Sequence, residues 1–155
     1  MMAVMASPRA LPPEPEPVDA PLLRVFVTGK PISSNDMYGA RGSGAARRLT
    51  PEARSWRDAV AASVLAWRFP ASAPRPILAV DCVFVGARAD IDNLCKLVLD
   101  GVKTGLAVDD RFILRLVVEK QPLPRGGQRG AWIAVSVLPT PEKPPRLRRT
   151  RKKAM

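Results

Sequence analysis

The stretch ILAVDCVFVGARADIDNLCKLVLDGVKTGLAVDDRFILRLVVEK, residues 77–120, decides how this chain folds. Residues 77–85 form an almost unbroken apolar run, with Asp81 as the exception, and this predicts a strand covered on both faces. Gly86-Ala87-Arg88-Ala89 then leads into a helix predicted over about 92–105. Leu94, Leu97, Val98, Gly101, Val102 and Leu106 line its apolar side, and Gly105 offers a stop signal. Residues 112–120 read as the next strand, rich in branched and apolar side chains.

On the N-terminal side, residues 22–28 read as a first strand, closed by Gly29-Lys30-Pro31. Residues 31–49 hold glycines, serines and arginines without apolar periodicity and predict a long, mobile, cationic loop. Thr50-Pro51-Glu52 is a helix start, with Thr as N-cap, Pro in the first turn and an acid at the positive end of the helix dipole. Trp56, Val60, Val64 and Trp67 then form one apolar stripe, so this helix is predicted to run to about Trp67. On the C-terminal side, residues 122–130 are turn-rich and 132–138 read as a fourth strand. The order β-α-β-α-β-β predicts an α/β (α+β) domain, a small mixed sheet with two principal helices packed on it.

The flanks differ in composition. Six of the chain's 17 prolines fall in residues 1–21 and four in 139–155. Each removes a backbone donor and fixes φ, so both flanks are expected to be disordered or extended tails around a folding unit at 22–138. The chain has 155 residues and a formal charge of +11. The N-terminal flank is acidic, with Glu14, Glu16 and Asp19 against Arg9, and the C-terminal one is strongly basic, with Glu142 as its one acid. A net +7 remains on residues 22–138 of the sequence, which favours a polyanionic partner over a neutral one.

The absence of histidine excludes Ser-His-Asp and Cys-His nucleophile pairs, HExxH zinc sites and imidazole bases. Two cysteines, Cys82 and Cys95, are too few for a zinc site of their own or a disulfide framework, and read as small buried hydrophobes. No segment has the apolar length of a membrane span, and the apolar start Met1–Ala6 lacks a preceding basic region. The expectation is a cytoplasmic protein with reduced thiols.

What remains for chemistry is carboxylate and lysine. Asp90 and Asp92 lie two residues apart just after a strand and at the start of a helix, where α/β sheets collect their sites. Lys96 follows Asp92 by four residues, Asp100 follows Lys96 by four, and Asp109-Asp110 arrives at the next strand. Taken singly, these are an N-cap, a surface charge ladder and a solvated turn. Taken together, in a basic body, they suit a hard cation facing phosphates, because clustered carboxylates repel one another unless a cation neutralises them. Spacing alone leaves the position of Asp109-Asp110 open. A parallel crossover sets the pair at the far end of the sheet, and a bent or antiparallel arrangement closes the cluster.

Asp90-x-Asp92-Asn93-x-x-Lys96 with Asp100 and Asp109-Asp110 resembles the signature of RusA-type Holliday junction resolvases. Gly29-Lys30-Pro31-x-Ser33-x-Asn35 and the strand ending in Lys120 are similar to the same family, over roughly residues 23–138. The Arg/Gly/Ser loop at 39–48 and both tails depart from that pattern. The resemblance implies a bacterial or phage-type homodimeric endodeoxyribonuclease that resolves four-way DNA junctions by symmetric paired nicking in recombination and repair, with Mg²⁺, or Mn²⁺ in its place. It implies Asp90, Asp92 and Asp110 as catalytic metal ligands in a closed cluster, and Lys96 as the catalytic, positively charged residue beside the scissile phosphate. Lys30, Arg41, Arg47, Arg48, Arg54 and Arg57 are the candidate DNA contacts, positioning the backbone rather than reading sequence. The competing classes are a non-catalytic DNA-binding protein and a metal-dependent nuclease for other branched DNA or RNA. Trp56, Trp67 and Trp132 are expected in the core rather than stacked on bases.

Overall fold

The computed structural model describes residues 21–39 and 48–139. Arg41, Arg47 and all but the innermost residue of each tail (1–20 and 140–155) lie outside the described residues. The described elements are β1 (Leu23–Thr28), α1 (Pro51–Val64), β2 (Ile77–Val85), α2 (Ile91–Leu106), β3 (Ile113–Gln121) and β4 (Gly130–Leu138), the order expected from the sequence. They form a mixed four-stranded sheet in the spatial order β1-β4-β2-β3. β4 runs antiparallel to both β1 and β2, whereas β3 is parallel to β2.

α1 begins as its sequence dictates. Thr50 is the N-cap, and its hydroxyl accepts a hydrogen bond from the Ala53 N–H at 3.1 Å. Ala53, Trp56, Val60 and Val64 are its buried side chains. Trp67 departs from the expectation. The helix tightens into a 3-10 turn at Leu65–Trp67, which breaks the phase of the stripe and leaves Trp67 38 % exposed. Trp56 is buried and Trp132 half-buried.

α2 runs through Gly105 rather than stopping there. Its stop is Ala107, in the left-handed conformation at φ 57°. Gly101 and Gly105 are instead where α1 and α2 touch. A Cβ on Gly101 would lie 2.7 Å from the Val60 side chain, and one on Gly105 would collide with the Ala61 carbonyl and Val64.

Both helices join one core with the sheet. Leu78, Val80, Cys82 and Phe84 of β2 and Ala131, Ile133 and Val135 of β4 belong to it, with Leu94, Leu97, Val98, Val102 and Leu106 of α2. β2 is almost wholly buried, yet these core residues occupy alternate positions, one face of the strand. The intervening Ala79, Asp81 and Val83 point to the other face, where larger neighbours in register shield the small side chains, such as Trp132 opposite Val83. Asp81 is half-exposed there, 4.0 Å from Arg115 on β3. Cys82 and Cys95 are buried free thiols, and burial pushes both up from the ordinary thiol pKa.

The long loop is ordered where it is described. Met37 and Ile32 are core residues, and Tyr38 forms an antiparallel bridge with Leu49 that closes the loop at its base.

Candidate functional site

β2 ends at Val85, and the chain turns through Gly86 (φ 72°) into Arg88-Ala89-Asp90 and the first turn of α2. Three contacts fix this turn. The Lys120 ammonium at the end of β3 donates to the Ala89 carbonyl at 2.8 Å. The Ser34 hydroxyl donates to Asn93 Oδ1 at 2.7 Å, and the Ser34 N–H donates to the Asn93 carbonyl at 2.7 Å. Asn93 is therefore a positioning residue that ties the loop after β1 to the start of α2. Its sequence signal was its place in the acidic motif, but the partner lies 59 positions away and leaves no local trace.

Asp90 occupies the N-cap position of α2 without acting as a cap, since its side chain makes no capping hydrogen bond. Asp92 follows in the first turn, and both are exposed. Among the described residues neither carboxylate has an ion pair or a side-chain hydrogen bond. An acid at an N-cap ordinarily accepts from the first turn of the helix. Here that capacity is left for an external group, beside the positive end of a 16-residue helix.

Lys96 stands one turn further along, 54 % exposed, 3.8 Å from Asp100. Asp100 is also 3.9 Å from Lys103, and Lys103 holds Asp110 at 3.2 Å. Asp110 is thus placed away from Asp90 and Asp92. With β2 and β3 parallel, α2 must return along the sheet, so it starts where β2 ends and finishes where β3 begins. Asp92 and Lys103 are separated by about 16 Å along the helix axis at 1.5 Å per residue. The closed cluster implied by the resemblance is not formed within one chain. Among the described residues no group of three or more His, Cys, Asp or Glu lies close enough to hold a metal ion. Hydrogen bonding to the Asp109 side chain and to the Lys103 ammonium holds the Asp110 carboxyl below the usual carboxylate range.

The Asp90–Asp92 pair nonetheless suits a hard divalent cation. Mg²⁺ keeps several waters and is usually bound through one or two carboxylates plus substrate phosphates, and two unpaired exposed carboxylates meet that demand.

The expected nucleic-acid contacts divide. Lys30 is exposed and lines clefts at the end of the sheet, one of them shared with Arg88 and Arg129. Arg48 and Arg54 are exposed. Arg57 is held by its neighbour Asp58 at 2.7 Å, which leaves it less available for a phosphate.

The family model for Endodeoxyribonuclease RusA matches residues 28–135, from the end of β1 into β4. No curated protein matches the chain significantly. The match takes in both helices, the Asp90–Lys96 turn, the Asp109-Asp110 pair, β2 and β3 in full and most of β4, and on it the chain belongs to the RusA endodeoxyribonuclease family of nucleases.

Proposed function

We propose that the chain is a divalent-metal-dependent endonuclease that resolves four-way DNA junctions, with its chemistry at Asp90, Asp92 and Lys96. The observation that carries this reading is the pair of exposed carboxylates at the start of α2, without partners among the described residues, in a chain of a nuclease family. Asp90 and Asp92 would hold the cation. When bound, such an ion polarises a phosphate oxygen and makes a water more acidic. Lys96, held only loosely by Asp100, swings to donate to the phosphate and offsets its growing negative charge. Lys120 and the Ser34–Asn93 pair keep the turn in place, so little reorganisation accompanies the reaction.

Asp110 enters through a second copy. Two chains packed antiparallel along α2 and β3 set the start of one α2 beside the end of the other, so that Asp110 of one chain faces Asp90 and Asp92 of its partner. Two observations favour this face. β3 is an edge strand, and its Leu114 and Leu116 are 61 % and 41 % exposed. A two-fold dimer also matches the approximate two-fold symmetry of a four-way junction and supplies paired sites.

The test compares a synthetic four-way junction, a flap, a plain duplex and RNA at fixed salt, with Mg²⁺, Mn²⁺ or EDTA. Symmetric cutting of the junction with either metal, and none with EDTA, is expected. Junction binding without any cutting would assign the chain to DNA-binding proteins without catalysis. Preference for flap or RNA would keep the site and change its substrate. Lys96→Ala is expected to slow cutting by about a hundredfold, the usual effect of losing one transition-state donor, while junction affinity falls less than threefold. Equal losses in rate and affinity would make Lys96 a binding residue only.

No helix among the described residues is long and apolar enough to cross a membrane. Action in the cytoplasm, on DNA undergoing recombination or repair, is part of the same proposal.

A further inference from the structure

Beside the acidic turn, the end of the sheet carries clefts lined by cations, and two of these, Arg88 and Arg129, have no part in the proposed reaction. Arg88 and Arg129 together line two clefts of about 330 and 550 Å³; the first includes Lys30 and the second Lys120. Arg129 and Lys30 also line a third, of about 700 Å³. Arg129 is the residue common to all three clefts, and Asp36 is their one acidic lining residue. Among the described residues the side chains of Arg88 and Arg129 have no ion pair or hydrogen bond, although both are exposed.

Arg129 is held in place. Its carbonyl accepts the Gly29 N–H at 3.0 Å, and the next residue begins β4. One position earlier, the Thr28 hydroxyl bonds Gln128 Oε1 at 3.1 Å. The stem of Arg129 then lies across Gly86, where a Cβ would come within 3.0 Å of Arg129 Cγ and 3.1 Å of Leu123 Cβ. Gly86 therefore serves two purposes. It supplies the φ of 72° for the turn out of β2, and it leaves room for the arginine over that turn. The arginine stem thereby lies over the turn that leads, four residues on, to Asp90, and its side chain lines a cleft together with Arg88 and Ala89 of that turn.

We infer that Arg129, with Arg88 beside it, forms a phosphate-binding subsite for the nucleic-acid strand next to the Asp90–Asp92 pair. The ligand class is a phosphodiester. A guanidinium matches two phosphate oxygens with a rigid fork, and three clefts that share Arg129 and together carry four cationic side chains and one carboxylate attract a polyanion. Arg129 thus positions substrate for a reaction carried out by other residues. The inference rests on the proposed DNA-binding function.

The test measures junction affinity of the full chain in EDTA over a range of salt concentrations. Arg129→Gln is expected to weaken binding about tenfold and to make the slope of log K against log salt shallower by about 1, the signature of one lost phosphate contact. Arg129→Lys is expected to keep the slope and lose only part of the affinity. The melting temperature of both variants should match the wild type, because Arg129 lies outside the core. Wild-type affinity and slope in Arg129→Gln would overturn the subsite. So would a loss of affinity with an unchanged slope, which would show a structural effect. A wild-type chain that binds no nucleic acid would overturn the DNA-binding function itself, and the subsite with it.

Discussion

Asp92→Asn is expected to abolish junction cutting and to leave junction binding intact or slightly tighter. Removing a mere partner of a metal ligand costs ten- to a hundredfold, so loss of a ligand is expected to exceed about a hundredfold. Binding gains because one negative charge near the phosphates is removed. Asp90→Asn should behave alike. The sharper form of the experiment mixes variants. An Asp92→Asn chain and an Asp110→Asn chain are each expected to be inactive. If the site is shared between two copies, a mixed dimer has one site with both aspartates intact. Random mixing makes half the dimers mixed, so roughly a quarter of wild-type sites return, each nicking a single strand. If the site closes within one chain, every site in the mixture lacks one aspartate and no activity returns. That second outcome would remove the antiparallel dimer from the mechanism while leaving Asp92 in it.

The distinction arises from one topological fact that the sequence could not supply. Residues 77–120 announce strand, helix and strand through apolar periodicity, and those elements are observed within one or two residues. Their relative direction depends on pairing between segments more than thirty residues apart, which no local pattern encodes. Mutual repulsion favours gathering the carboxylates around a cation, but Lys103 offers Asp110 a counter-charge of its own. The lysine takes Asp110 and touches Asp100, so the repulsion at that end is relieved by a side chain rather than by a cation. At the other end no described side chain does the same, and Asp90 and Asp92 have no partner among the described residues. The spacing of Asp90, Asp92 and Lys96 was readable because one helix start fixes all three. Arg129 escaped notice because its role depends on Gly86, which is 43 positions earlier and belongs to a different strand's exit. Trp67 misled for a simpler reason, since a helical stripe continues in the sequence after the helix has tightened into a 3-10 turn.

The glycines of α2 show the same limit, and they set the largest expected effect on stability. Gly105→Ala places a methyl group against the Ala61 carbonyl and Val64 of α1, and Gly101→Ala places one 2.7 Å from Val60 and 2.8 Å from the Arg57 carbonyl. An alanine in a helix interior is favoured over glycine by about 1 kcal/mol. Overpacking a close contact costs about 1–3 kcal/mol, and the upper part of that range applies here because backbone cannot rotate away as a side chain can. The clash therefore wins. Each variant is expected to lose about 1–2 kcal/mol net, read as a lower urea midpoint with an unchanged slope. The double variant should lose at least the sum, because the two helices must separate as one body. A separation of α1 from α2 also moves the axis that carries Asp92, Lys96 and Lys103, so the double variant should cut junctions more slowly even at temperatures where it remains folded. A double variant as stable as the wild type would mean that the helices pack farther apart than the Gly101–Gly105 seam allows.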